Sequence, residues 1–246
     1  MSRLCCSAIF VPQVSRYALS YGVRMMREIL HLWRFSLLIL AHCLQHTAAA
    51  SQTLSYTTIE VGGRLTITVP SHWRAHDTAE RQNIAAGADA ALNPTGKSSG
   101  SMHVSSLSVV SNPEPIRAII RVSFLQESGT QADLIREVSA SRSKVITALK
   151  AGWEAEKQQV IEAMSRQGGQ YLGQEDYRIE TIGARTALVI SYKRSSLKGG
   201  TPFVVTQYHV PMGSDKVLVT LSFQESEAAL FRPILERVKN SIAIRR

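Results

Sequence analysis

Apolar and polar side chains alternate over residues 57–61, 65–69, 102–110 and 116–125, and again over 171–181, 185–192, 203–208 and 216–223. Alternation with a period of two places successive side chains on opposite faces of a strand, so these runs predict about eight β-strands. Between them, over 131–166, Val138, Val145, Leu149, Trp153, Val160 and Met164 recur at steps of four and seven, which predicts a helical region. A single straight helix of that extent would be about 50 Å long at a rise of about 1.5 Å per residue, longer than a small domain is wide. A break is therefore expected near Ser139–Ser143 or at Gly152, with Gly168-Gly169 ending the region. A second apolar stripe, Leu230, Phe231, Ile234, Leu235, Val238 and Ile242, predicts a closing helix with Ser226 as its N-cap. Pro233 falls inside that stripe, so a kink or a fresh helix start is expected there.

The turns between runs refine this picture. Pairing Thr57–Val61 with Leu65–Val69 across a two-residue Gly-Gly loop would set Ile59 opposite Thr66 and mix the faces. A three-residue loop, Gly62-Gly63-Arg64, pairs Val61 with Leu65 and Ile59 with Ile67 and keeps one face apolar. Pro70 ends the second strand, and Trp73 is expected to fold back over the core. Residues 77–101, rich in Ala, Gly, Ser and Asn, read as a loop with one helical turn near Ala79–Ala86. In the run Met102–Val110 the apolar phase slips between Val104 and Leu107, which predicts a bulge at Ser105–Ser106. Hairpin-connected strands with two helical regions define an α+β fold, an antiparallel β-sheet sandwiched by helices in a single domain over 54–244.

The first 50 residues follow different rules. Phe35–Ala41 is a short apolar run preceded by Arg27 and Arg34 and followed by Thr47-Ala-Ala-Ala50, the three parts of a secretory signal peptide. The run is too short for a membrane span, which needs about 20 apolar residues. Ala48 and Ala50 provide the small side chains for cleavage after Ala50, and a start at Met25 or Met26 gives a signal of ordinary length. A lipoprotein anchor at Cys43 is disfavoured by His42, which stands where a small residue is required. The expected location of the processed chain is periplasmic or secreted, with no integral membrane span.

Composition changes the picture at two points. Of 28 Lys and Arg and 19 Asp and Glu in the 246 residues, five basic and one acidic residue lie in the first 50, which leaves a net charge of +5 spread along the rest. A nucleic-acid surface needs a concentrated basic face, so no nucleic-acid partner is expected. All three cysteines, Cys5, Cys6 and Cys43, precede residue 51, so the processed chain has no disulfide, thiol nucleophile or cysteine metal ligand.

Candidate chemistry is sparse. His72 and His76, four apart, have the spacing of two zinc ligands on one helix face, but they follow Pro70 at a strand exit without a Glu-x-x-His context. Gly96-Lys97-Ser98 has the end of a phosphate-binding loop, yet Ala91 occupies the position of its first glycine. Glu175-Asp176 could form a carboxylate pair, and reads better as a solvated face. His209 alternates with Gln207 and could line a groove, the alternative being a hydrogen-bonded histidine at the sheet surface. Trp153 reads as helix packing. No G-x-S-x-G elbow is present. No catalytic residue and no cofactor is expected.

The block Arg185–Tyr192, Val204–Tyr208, Lys216–Ser222, Phe231-Arg-Pro-Ile-Leu235 and Asn240-Ser-Ile242, together with Ile67-Thr-Val-Pro-Ser-His-Trp73, resembles the PsbP-like superfamily. That superfamily includes extrinsic photosystem II proteins, a Ran-binding import factor, DcrB-like bacterial envelope proteins and chaperones of type VI secretion effectors. The resemblance covers nearly all of 57–242 and implies an antiparallel sheet between helices, no shared catalytic residues, and binding to other proteins. The 131–166 helical region and the 77–101 insertion lie outside its pattern. The resulting expectation is an exported, non-catalytic binding or accessory protein of the envelope, whose partner is another envelope protein or a small ligand. A secretion-associated chaperone, and an enzyme or metal protein using His72, His76 or His209, are the alternatives.

Overall fold

The structure, a computed structural model, describes residues 54–92, 105–112, 114–166, 168–196 and 200–245, with side chains omitted for 87–92. The expectations for the signal peptide, Cys43 and Gly96-Lys97-Ser98 lie outside the described residues.

Strands β1 (Tyr56–Val61) and β2 (Leu65–Pro70) form the first hairpin. Its register pairs Val61 with Leu65 and Ile59 with Ile67, as the three-residue loop requires. The apolar alternation of β2 then buries Leu65, Ile67 and Val69. Trp73 follows the exit at Pro70 and lies edge-on to Phe231 with ring centroids 6.0 Å apart.

After the short strand β3 (Arg74–Ala75), the segment expected to be mostly loop is instead the helix α1 (Thr78–Leu92). It has no apolar stripe, which is why periodicity misses it. A reciprocal cap starts it: the Glu80 amide donates to Asp77 Oδ1 at 2.8 Å and the Asp77 amide donates to Glu80 Oε2 at 2.9 Å. Its alanine content favours helix once the cap is in place. Strand β4 (Leu107–Val110) begins after Ser105-Ser106, which lie outside it, and Met102–Val104 are not among the described residues.

Strand β5 (Ala118–Gly129) leads into α2 (Gln131–Arg166), where the Asp133 amide donates to Thr130 Oγ1 at 3.0 Å. The break in α2 falls at Ser141 (φ −163°, ψ 96°), and Gly152 lies within regular helix. Strands β6 (Tyr171–Ile182), β7 (Arg185–Arg194), β8 (Phe203–Pro211) and β9 (Gly213–Gln224) follow. A 3-10 turn at Glu225–Glu227 precedes α3 (Ala228–Ser241), and the two-residue strand β10 (Ala243–Ile244) closes the described chain. Ser226 is not the N-cap of α3. It lies inside the 3-10 turn, and its hydroxyl is 2.9 Å from Thr201 Oγ1. Pro233 sits inside α3, which continues through it to Ser241. Leu230 leaves the predicted stripe and is 52% exposed, whereas Phe231, Ile234, Leu235 and Val238 are buried.

Seven strands order as β3-β4-β5-β9-β8-β7-β6, and β1-β2-β10 form a separate three-stranded sheet. Every pairing among the described strands is antiparallel. One face of the large sheet, carrying Ile120, Val189, Val210 and Val219, packs on the small sheet and α3 in the main core. The opposite face packs on α2, with Ile190, Tyr192, Phe203 and Val205 around Trp153 and with Ile179 beside Leu134 and Val145. The result is the α+β arrangement of an antiparallel sheet between helices that the PsbP-like resemblance implied. No helix among the described residues is long and apolar enough to cross a membrane.

Candidate functional site

Side chains in register on neighbouring antiparallel strands share a face. One such row runs Ser108, Arg121, Thr220, Gln207, Ile190 and Tyr177 across β4, β5, β9, β8, β7 and β6. Ile190 packs on Trp153, so the whole row faces the α2 side. Its β6–β7 end is aromatic and apolar. Its β4–β8 end is polar, in the middle of a sheet whose other face is core.

The two ends also differ in charge. At β6, Tyr171 Oη donates to Glu175 Oε1 at 2.6 Å and accepts from Trp153 Nε1 at 3.3 Å, while Lys157 Nζ donates to Glu175 at 3.4 Å. The Tyr171 hydrogen bond holds the Glu175 carboxyl below its usual range against the opposing effect of burial. Asp176 pairs with Arg178 instead. Glu175 and Asp176 are thus each tied to other side chains and do not act as a carboxylate pair. Trp153 is a core residue, its ring stacked 5.2 Å from that of Tyr192.

At the β5 end, Arg121 makes no hydrogen bond and no ion pair among the described residues. It is exposed to solvent, yet burial by surrounding protein lowers its pKa, with Tyr192 opposing that shift. Arg194, on the same face, stacks over the Phe203 ring at 4.5 Å and donates to the Ser195 carbonyl at 3.0 Å. Its pKa is lowered chiefly by burial, and the charge of Arg121 lowers it further. Among the described residues no carboxylate is a cause of either shift. Half-buried Gln207 and Thr220 stand beside Arg121 in the row with no side-chain hydrogen bond among the described residues. Residues 93–104, between α1 and β4, contain no Asp or Glu.

The two histidines spaced like zinc ligands lie in different surroundings. His72 is exposed, whereas His76 is buried with Nδ1 3.0 Å from Ser108 Oγ. Burial, followed by the charge of Arg74, lowers the His76 pKa, and Arg121 is among the weaker contributors. Among the described residues no three His, Cys, Asp or Glu side chains gather as a metal site. His209 is two residues from Gln207 on the α2 side, between Leu188 and Leu218. Its Nε2 is buried without a partner, and burial pushes its pKa down to about 3 with help from Lys216. Sequence reasoning found Gln207 and His209 by alternation and missed Arg121. Its signal was a charged residue in the polar phase of a strand that proves central in the sheet.

The fold and this row define an antiparallel α+β protein with a cationic, polar patch on its α2-side sheet face. No protein-family model matches the chain, and no curated protein matches its sequence. Solved structures to which it is similar include cyanobacterial PsbP (CyanoP) from Synechocystis sp. PCC 6803, at 10% identity and a TM-score of 0.42, covering 80% of this chain and 96% of that one. LpqN, involved in cell envelope biogenesis of Mycobacterium tuberculosis, is similar at 13% identity and a TM-score of 0.39, covering 79% and 93%. A Bacteroides thetaiotaomicron protein is similar at 11% identity and a TM-score of 0.40 over 79% of this chain, which spans about half (50%) of that protein's length.

Proposed function

We propose that this is a non-catalytic binding protein of the bacterial envelope, which takes a ligand on the α2-side face of its large sheet. The observation that carries the reading is the row Arg121, Thr220 and Gln207. These are polar side chains on central strands, with hydrogen-bonding capacity that the described fold does not use. Their accessibility leaves these donors and acceptors free to meet a ligand in place of water. Export rests on the Arg27–Ala50 signal pattern.

Two measurements test the proposal. N-terminal sequencing of the protein from its native host is expected to begin at Ser51, and an intact N-terminus would sink the envelope assignment. Thermal unfolding of the purified protein against small molecules of both charge signs and neutral ones is expected to show stabilisation by a subset. Stabilisation by none of them, with no partner co-purifying, would remove the binding reading.

A further inference from the structure

We propose that the sheet face over β5, β9 and β8 binds a small molecule through an oxyanion, carboxylate or phosphate, gripped by the Arg121 guanidinium and flanked by Thr220 and Gln207. The inference rests on the binding role of this face and adds the chemical class of what it takes.

The first support is the place of Arg121, an exposed arginine on a central strand. Arg64, Arg74, Arg117, Arg178 and Arg245 each pair with a carboxylate. Among the described residues Arg121 has none, although it stands in the middle of the sheet with a planar fork of five donors. Carboxylate and phosphate match that fork with two parallel hydrogen bonds. A second cation on the same face, Arg194, repels Arg121 and raises the positive potential of this face. The Tyr192 side chain interacts with both arginines. The acidic groups of this face are already committed, Glu175 to Tyr171 and Lys157 at the far, β6 edge.

Shape sets the size of the ligand. Neighbouring strands lie about 4.8 Å apart, so Arg121, Thr220 and Gln207 span roughly 10 Å across three strands. That distance suits a ligand with an anionic end and a polar body reaching the Thr220 hydroxyl and the Gln207 amide. Helix α2 packs on β6, β7 and β8, whereas Arg121 on β5 is exposed. A patch of this width fits a small molecule and not the continuous phosphate backbone of nucleic acid.

The experiment is isothermal titration of the processed protein, in a chloride buffer without phosphate, using sodium phosphate, succinate and the neutral succinamide as probes. Saturable binding of phosphate or succinate is expected, and the stronger of the two identifies the anion. Arg121→Gln is expected to weaken it roughly ten- to hundredfold, while Arg121→Lys retains part of it. Raising the salt concentration should weaken it in the unmodified protein, which supplies a readout independent of any variant's folding. Failure of both anions to bind, or equal binding in Arg121→Gln, overturns the proposal. Succinamide binding that is indifferent to Arg121→Gln also overturns it, while leaving the broader binding role of the face intact.

Discussion

At the scale of single residues, His209 shows what burial does to a titrating group. An ordinary histidine titrates near 6.5. Burial pushes His209 down to about 3, so it stays neutral in the folded protein at neutral pH. Between those values the unfolded chain binds a proton that the folded chain does not, so stability rises with pH through this window and levels off above about 6.5. Acidification from pH 7 to pH 5 should therefore cost up to about 2 kcal/mol through this one group. His209→Leu should remove that part of the slope, read by urea unfolding at the two pH values, and an unchanged slope would refute the assignment. Gln131 is a second such residue. Its amide donates to the Thr186 carbonyl at 2.9 Å and the Pro211 carbonyl at 3.2 Å, and it accepts from the Thr186 amide at 3.0 Å. Gln131→Ala leaves those backbone groups unpaired and should cost roughly 1–3 kcal/mol, measured in the same unfolding assay. Of the two, only His209 was legible in the sequence. Its alternation with Gln207 is a local pattern, whereas the partners of Gln131 are 55 and 80 residues away.

At the scale of elements, local signals read well wherever they were periodic. The β1–β2 register followed from keeping one face apolar, and the break in α2 fell inside the Ser139–Ser143 stretch. Ser141 opens the second half of α2, with the Lys144 amide 3.4 Å from its hydroxyl in the manner of an N-cap. Gly152, the other position considered, is helical, and a Cβ added there meets nothing within 4 Å. Gly152→Ala is thus expected to stabilise the protein by about 0.5–1 kcal/mol, seen as a higher unfolding temperature. A lower one would place a break at Gly152 after all. Helix α1 was the element that pattern reading missed, because its cap and its alanines carry it without an apolar stripe.

At the scale of the whole molecule, the C-terminal segment closes the described fold. Ala243 pairs with Thr66 and Ile244 with Leu65, and the Thr68 amide donates to Ser241 Oγ at 2.9 Å. The β6–β7 turn presses against the same segment. Gly183 there has φ +54°, and a Cβ at that position would stand 2.6 Å from the Ile242 carbonyl oxygen. Gly183→Ala combines a left-handed backbone with a backbone clash, so it should cost more than about 1 kcal/mol and lower the unfolding temperature. Unfolding indistinguishable from the unmodified protein would show that the contact yields freely.

The chain by itself determined its strands, its hairpin register, the helical region and the antiparallel α+β class. Each of these is set by the period of apolar positions over a few residues. Only the tertiary structure decided which polar residues matter. Whether Arg121 faces water or a carboxylate depends on strands more than 80 residues away, and no local period encodes that. The same holds for Glu175 and Asp176, neighbours in sequence, which different partners divide between two separate networks.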